Sequence, residues 1–236
     1  MIKRSFLAAL AVAVASVCST GVMAQGIIFD NVAGLVVDNA AASDTGAFIE
    51  SANLDDVTFS VASTSTSIEF SGIYAASPIP GGDAFIAPED DNFTISIFAD
   101  GGGTPDVAAG PVATFAVGNN VNRTAGSNPN LANSFDYSAD VVFDFAADVT
   151  YYLGIVNSSP ASDTDQFNIG ITGANTGNSF GSFNATTFDP VIQQTFATDF
   201  QIIGAATAVD VPAIPEPSTV GLLALGLVGV VARRRR

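Results

Sequence analysis

The stretch Phe93-Thr94-Ile95-Ser96-Ile97-Phe98 decides the fold class, because apolar and polar residues alternate along most of it. Alternation with a period of two is typical of a β-strand that has one face on a hydrophobic core and the other in water. Similar patterns occur at residues 57–61, 68–73, 112–117, 141–145, 151–156, 167–171 and 200–203. These segments predict an all-β protein.

Clusters of Gly, Asn, Asp and Pro separate the predicted strands, at residues 78–83, 100–105, 118–122 and 158–163. Such residues supply the positive or fixed φ angles that tight turns require. Short strands joined by turns predict an antiparallel β-sandwich, with a jelly-roll-like arrangement as the expected topology. We interpret residues 101–103, three glycines with no lysine after them, as a hairpin turn, and residues 173–184 as a long loop or a weak edge hairpin.

The composition excludes several kinds of catalytic site. The 236 residues include no histidine and a single cysteine, Cys18, which falls in the predicted signal peptide described below. A Ser-His-Asp triad, a Cys-His pair and a histidine zinc site are therefore impossible in the body of the protein. Only chemistry based on carboxylates remains available.

Charge is distributed unevenly along the chain, which has a net charge of −16. Six of its seven basic residues lie at the two ends, and only Arg123 lies between them. An acidic body repels nucleic acid and attracts cations, so we expect no nucleic-acid partner. Adaptation of an external protein to a salty medium explains this acidity, and a dedicated cation site is the alternative.

The N-terminal 24 residues have the three parts of a secretory signal peptide. Lys3 and Arg4 come first, an apolar run follows at residues 6–17, and Val22-Met23-Ala24 places small residues near the exit. This order predicts a signal helix over residues 1–24 and cleavage by signal peptidase between Ala24 and Gln25.

The C-terminal segment is also divided into three parts. It begins with a polar, proline-rich motif, continues as an uncharged apolar run over residues 220–232, and ends in basic residues. The motif residues are Pro215, Glu216, Pro217, Ser218 and Thr219, and the basic residues are Arg233, Arg234, Arg235 and Arg236. We expect a transmembrane helix of about 22 Å, short for a hydrocarbon layer of about 30 Å, with its arginines retained in the cytoplasm.

These three parts, in this order, resemble the PEP-CTERM sorting domain of exopolysaccharide-producing Gram-negative bacteria. The resemblance implies that an exosortase recognises Glu216 as part of its substrate and releases the protein from the inner membrane to the cell surface or extracellular matrix. An ordinary C-terminal membrane anchor is the alternative. Residues 93–105 and 151–157 also resemble a β-sandwich module found in sorted proteins of this kind, which implies a fold and no activity.

The expected organisation follows from these segments. Residues 1–24 form the signal peptide, residues 25–204 the β-sandwich domain, residues 205–214 a linker, and residues 215–236 the sorting and anchoring segment.

Acidic residues adjacent in sequence are the remaining candidates for chemistry. A glycosidase needs two close carboxyl groups, but neighbours on a strand, such as Asp55 and Asp56, point to opposite faces. We interpret these residues and residues 89–91 as solvated turn acids. A structural calcium ion is the one cofactor considered, and its candidate ligands are Glu89, Asp90, Asp91, Asp163 and Asp165, which do not form an EF-hand.

Three hypotheses for function follow. The first is a non-enzymatic surface or matrix protein that is associated with exopolysaccharide. The second is a carbohydrate- or calcium-binding β-sandwich module at the cell surface. The third is a secreted hydrolase that depends on carboxylates.

Overall fold

The computed structural model describes residues 25–31, 39–45, 50–75, 91–126, 134–158, 166–172 and 178–207. Within these ranges the regular structure consists of β-strands. They are β1 (Gly26–Asp30), β2 (Asn39–Ala42), β3 (Ala52–Thr58), β4 (Ser63–Ala75), β5 (Phe93–Ala99), β6 (Ala113–Gly118), β7 (Val121–Ala125), β8 (Ser134–Asp140), β9 (Asp144–Phe145), β10 (Thr150–Asn157), β11 (Gln166–Thr172), β12 (Phe180–Ser182), β13 (Val191–Gln193), β14 (Ala197–Thr198) and β15 (Phe200–Ala206).

The strands form two antiparallel sheets. The larger has the order β1-β15-β4-β11-β14, with β2 on β11, β8 and β9 on β4, and β7 on β8. The smaller has the order β13-β12-β3-β10-β5-β6. This arrangement confirms the predicted all-β, antiparallel, sandwich-like architecture, while the jelly-roll-like topology stays a prediction.

Strand β4 is the centre of the larger sheet. One of its edges pairs first with β15 and then with β11, and the other edge pairs with β9 and β8. Ile68, Phe70 and Tyr74 of β4 are all buried, and they lie at even spacing as the alternating pattern predicts. The turn at residues 59–62 carries the chain from β3 in one sheet to β4 in the other.

The main core lies between the sheets and is rich in aromatic side chains. Phe93, from the stretch that predicted the fold, has its ring centroid 5.0 Å from those of Phe70, Tyr137 and Phe167. Its neighbours at even spacing, Ile95 and Ile97, are also fully buried. One alternating segment thus supplies three of the side chains that hold the two sheets together.

A second, smaller core lies on the outer face of the smaller sheet. Phe98, Tyr152 and Leu54 point to this side and are covered by the segment 183–191, which contributes Phe188. Phe188 has a φ of 59°, a conformation that a bulky residue rarely adopts, and its ring lies over Gly154. A Cβ atom on Gly154 would approach that ring to 2.9 Å, so the missing side chain makes room for the covering segment.

Several strand boundaries differ from those predicted. The segment 141–145 forms only the short β9, and the strand before it is β8, whose sequence contains several polar residues. Strand β12 lies between β3 and β13 within residues 173–184, which were predicted to be a long loop or a weak edge hairpin. The sequence gives little indication of this strand because Gly181 and Ser182 are not typical strand residues, although Phe180 is buried in the second core.

The three glycines at residues 101–103 form the predicted hairpin turn between β5 and β6. The Gly101 amide donates to the Thr104 carbonyl at 2.7 Å, and the Gly103 amide donates to Asp100 Oδ1 at 2.7 Å. Gly102 and Gly103 have φ angles of 95° and 92°, which explains why glycine occurs there.

The predicted signal helix and C-terminal helix lie outside the described residues. In the part of the chain that the structure describes, no helix is long and apolar enough to cross a membrane. Gln25, the residue after the predicted signal cleavage, is described and donates from its side chain to Thr66 Oγ1.

Candidate functional site

A groove of about 320 Å³ lies on the outer face of the smaller sheet. Strands β5, β6 and β10 form its floor, and the loop segments that contain Thr45, Val107, Ser158 and Phe188 form its walls. Seven of its fourteen lining residues are threonine or serine, and none is charged. In a chain with a net charge of −16, an uncharged groove rich in hydroxyl groups is a distinctive feature.

Three hydroxyl groups lie on the floor of the groove, where Thr114 is exposed, Thr94 is half-buried and Ser96 is only 4% exposed. Ser96 and Thr114 are directly opposite each other in the β5–β6 pairing, and Thr94 lies two residues along β5 on the same face. Within the described part of the chain, no hydrogen bond uses the side chains of these three residues. All three hydroxyl groups can both donate and accept hydrogen bonds, and those of Thr94 and Thr114 are the more accessible to a ligand.

Other hydroxyl groups fix the walls of the groove. Thr45 donates to Ser158 Oγ at 2.8 Å, while the hydroxyl and amide of Thr186 donate to Glu50 Oε1 at 3.1 and 3.3 Å. Phe98 and Phe188 line the apolar side but are nearly inaccessible to solvent. A ligand here would be bound through hydrogen bonds to the floor, and the arrangement suits an uncharged molecule rich in hydroxyl groups.

Asp91, one of the candidate calcium ligands, is buried and makes contacts within the protein. Its side chain accepts hydrogen bonds from the Tyr74 hydroxyl and, at 3.1 Å, from Arg123 Nη1. The Tyr74 hydroxyl accepts from Asn157 Nδ2 at 2.9 Å, and the guanidinium of Arg123 lies 5.0 Å from the ring centroid of Phe135. Asp91 therefore links the segment before β5 to β4, β7 and β10.

Burial determines the protonation state of the tyrosine in this network. It raises the pKa of Tyr74 far above its ordinary value, and nearby Tyr137 and Asp91 raise it further. Tyr74 therefore stays protonated and donates its hydrogen to the Asp91 carboxylate.

The other candidate calcium ligands, Glu89, Asp90, Asp163 and Asp165, lie outside the described residues. Among the residues that are described, no group of three or more acidic, cysteine or histidine side chains could hold a metal ion. The calcium site stays a prediction.

Asp55 is a second buried carboxyl group, between the two sheets. Its Oδ2 accepts from the Thr198 amide at 2.7 Å and from Asn31 Nδ2 at 2.9 Å, which joins β3 to the larger sheet. Burial raises the pKa of Asp55 from 3.8 to about 6, and this effect exceeds the opposing effect of the hydrogen bonds. Asp56, its neighbour, lies on the opposite face and accepts from the Asn178 amide at 2.8 Å.

The interpretation of these acids as solvated turn residues is wrong for Asp55 and Asp91. Their exposed fractions are 0% and 3%. Buried Asp44 and Asp199 have similar structural contacts: Asp44 accepts from the Phe167 amide at 3.0 Å, and Asp199 accepts from the Ser71 hydroxyl. Sequence reasoning missed this group because the partners are distant in the sequence and only the fold brings them together.

The residues predicted to direct sorting lie outside the described residues. These are Pro215, Glu216, Pro217, Ser218, Thr219, Arg233, Arg234, Arg235 and Arg236, and the same holds for Ala24 at the predicted signal cleavage. The assignment of the nine C-terminal residues rests on sequence comparison, and the signal cleavage stays a prediction.

Comparison with curated proteins finds no match to the chain. Comparison with protein families finds a match at the C-terminal end, where residues 213–236 match the PEP-CTERM protein-sorting motif. The match includes all nine residues predicted to direct sorting. The protein therefore carries a PEP-CTERM sorting motif, which indicates an exported protein that is processed by an exosortase and targeted to the cell surface.

Proposed function

We propose that the protein is a non-enzymatic component of the cell surface or extracellular matrix, where it is associated with exopolysaccharide. The match of residues 213–236 to the sorting motif carries this proposal, because it specifies export and processing. The buried aspartates support a structural role for the acidic residues of the body, since Asp55 and Asp91 make hydrogen bonds between strands and sheets. In this proposal the signal peptide is removed first, and the C-terminal helix holds the protein in the inner membrane until processing.

Replacement of Pro215, Glu216 and Pro217 with alanine is expected to abolish processing. In an exopolysaccharide-producing host, the wild-type protein should lose its arginine tail and reach the surface or medium, whereas the variant should stay full length in the inner membrane. Mass measurement and cell fractionation detect both results. Pro212→Ala, just outside the matched residues, is the matched control and should be processed normally.

If the wild-type protein also stays uncut in the inner membrane, the C-terminal segment is an ordinary anchor. That result would remove the basis for the proposed location.

Carbohydrate binding is a second candidate function, and the groove favours it. An uncharged floor with hydroxyl groups from Thr94, Ser96 and Thr114 matches the hydrogen-bonding character of sugar hydroxyls. The groove also matters for the third hypothesis, because a carboxylate-dependent hydrolase needs two close carboxyl groups and the groove lining contains neither Asp nor Glu. We therefore rank a carbohydrate-binding groove above a hydrolase.

The triple variant Thr94→Val, Ser96→Ala and Thr114→Val is expected to weaken binding to matrix polysaccharide by at least about tenfold, since each lost hydrogen bond costs roughly 0.5–1.5 kcal/mol. Binding of the full chain to polysaccharide isolated from the host measures this loss. The control variant Thr58→Val and Thr150→Val removes a hydroxyl pair outside the groove and should bind normally. Equal binding by wild-type and groove variants would contradict the assignment, and repeating the measurement with a calcium chelator tests whether calcium contributes.

A further inference from the structure

Both ends of the described chain leave the sandwich at the same place. Gly26 at the start of β1 is paired with Gly204 near the end of β15. The amide of Thr207, the last described residue, donates to the Ala62 carbonyl at 2.6 Å, in the turn between β3 and β4. We call this part of the molecule, with the turn 59–62, the start of β1 and the end of β15, the terminal end.

Exposed apolar side chains gather at the terminal end. Among the described residues, seven large apolar side chains are exposed, and five of them lie near strand boundaries at this end, with exposed fractions of 41–66%. These five, which we call the apolar rim, are Ile27, Val61, Val112, Val142 and Val149.

Strand pairing places each member of the apolar rim. Ile27 is near the start of β1, Val61 is in the turn 59–62, and Val142 is between β8 and β9, which pair with the first half of β4. Val112 and Val149 directly precede β6 and β10, and both strands begin at the end of the smaller sheet where β3 and β5 finish. The remaining two, Phe183 and Ile192, lie elsewhere, with Phe183 after β12 at the opposite end.

The charges near the apolar rim are negative. Asp100 and Asp106 lie in the β5–β6 hairpin, and Asp144 and Asp148 lie between β8 and β10. Arg123, the one basic residue in the described ranges, is paired with Asp91 in the network described above. Anionic lipid headgroups would repel such a surface, whereas a protein surface with aliphatic and basic residues would complement it.

The sorting motif is connected to the terminal end by a short tether. Five residues, 208–212, separate Thr207 from the first residue of the matched motif. Even a fully extended chain of this length reaches only about 20 Å. An enzyme that holds the motif therefore faces the terminal end, and the tether gives even a weak contact a high effective concentration.

We propose that the terminal end docks on the extracytoplasmic surface of the enzyme that processes the sorting motif. The apolar rim contacts aliphatic residues of that enzyme, and the nearby aspartates contact basic ones. Recognition then includes the folded body as well as the motif, so that processing favours chains whose β1, β4 and β15 are already paired. This inference rests on exosortase processing of the chain.

The test compares processing rates of full chains in the exopolysaccharide-producing host, followed by pulse-chase labelling and mass. The variant Val61→Ser, Val142→Ser and Val149→Ser is expected to be processed about five- to tenfold more slowly than the wild type. The matched control, Phe183→Ser and Ile192→Ser, removes exposed apolar side chains away from the terminal end and should keep the wild-type rate. Processing of the rim variant at the wild-type rate would overturn the proposal.

A charge variant distinguishes an enzyme surface from a lipid surface. The double variant Asp144→Asn and Asp148→Asn should be processed more slowly if the terminal end docks on a basic protein surface. If the terminal end instead faces anionic lipid, removing the two charges relieves repulsion, and the rate stays unchanged or rises. Either of these last two results would overturn the proposal. A third variant keeps the folded body intact and inserts about 20 Gly and Ser residues after Thr207, which lowers the effective concentration and should also slow processing. If the wild-type chain is not processed at all, the proposal that an exosortase processes it is wrong. Equal processing rates for the wild type and all variants would instead contradict only the docking of the terminal end.

Discussion

Replacing Asp91 with alanine is expected to lower the free energy of unfolding by about 3 kcal/mol. The change removes the carboxylate that accepts from Tyr74 and Arg123, so a buried hydroxyl and a mostly buried guanidinium lose a shared partner. Urea unfolding of the full chain, followed by tyrosine fluorescence, measures the loss. Asp91→Asn keeps the shape and one acceptor, and it should cost less.

The control for this prediction is Asp140→Ala, which removes an exposed carboxylate at the end of β8 and should change stability by no more than about 0.5 kcal/mol. Unfolding in the presence of calcium tests the alternative role of Asp91 as a calcium ligand. If Asp91 acts through Tyr74 and Arg123, the wild-type midpoint should be the same in calcium and in a chelator. A rise in the midpoint with calcium that disappears in Asp91→Ala would instead place a calcium site at residues 89–91.

The second large effect is a dependence of stability on pH that is due to Asp55. Its pKa is about 6 in the folded protein, above the ordinary value of 3.8, so the folded state binds the proton more tightly. The stabilisation from this proton is complete below about pH 4 and is lost as the pH rises through about 6. The loss amounts to about 3 kcal/mol, since each pKa unit corresponds to about 1.4 kcal/mol.

Asp55→Asn removes the titrating group, so the difference in free energy of unfolding between wild type and variant isolates its contribution. We expect that difference, wild type minus variant, to fall by about 2.5 kcal/mol between pH 4 and pH 7. Urea unfolding at several pH values measures it. Thr58→Val, at an exposed site, removes no titrating group and should give a constant difference. A constant difference for Asp55→Asn as well would mean that Asp55 titrates normally in the folded state.

The predicted strands with the clearest alternation are present in the structure. Residues 93–98, 151–156 and 167–171 lie within β5, β10 and β11, because a sheet with a buried face imposes a period of two on its side chains. Strand β8 was not predicted, although Phe135, Tyr137 and Ala139 alternate with polar residues along it. Its pairing with β4 on one side and β7 on the other makes it a strand.

The candidate site was less predictable than the fold. The groove depends on the covering segment with Phe188, which reaches the smaller sheet only because Gly154 lacks a side chain. Thr94 and Ser96 are visible in the sequence as the polar half of an alternating strand, which would ordinarily indicate contact with solvent. Nothing in the sequence places Thr114 opposite Ser96, because register between strands is set by the whole sheet.

The sequence by itself determined the fold class and the sorting motif, because both depend on residues that are close together in the chain. The fold class follows from alternation within single strands, and the sorting motif consists of a proline-rich motif, an apolar run and arginines in succession. The tertiary structure alone decided which aspartates are buried and where the chain ends meet. Asp55 and Thr198 are far apart in the sequence, as are Gly26 and Gly204, and they come together only when the sheets pair. Burial and contact between distant residues depend on the packing of the entire chain, which no short segment encodes.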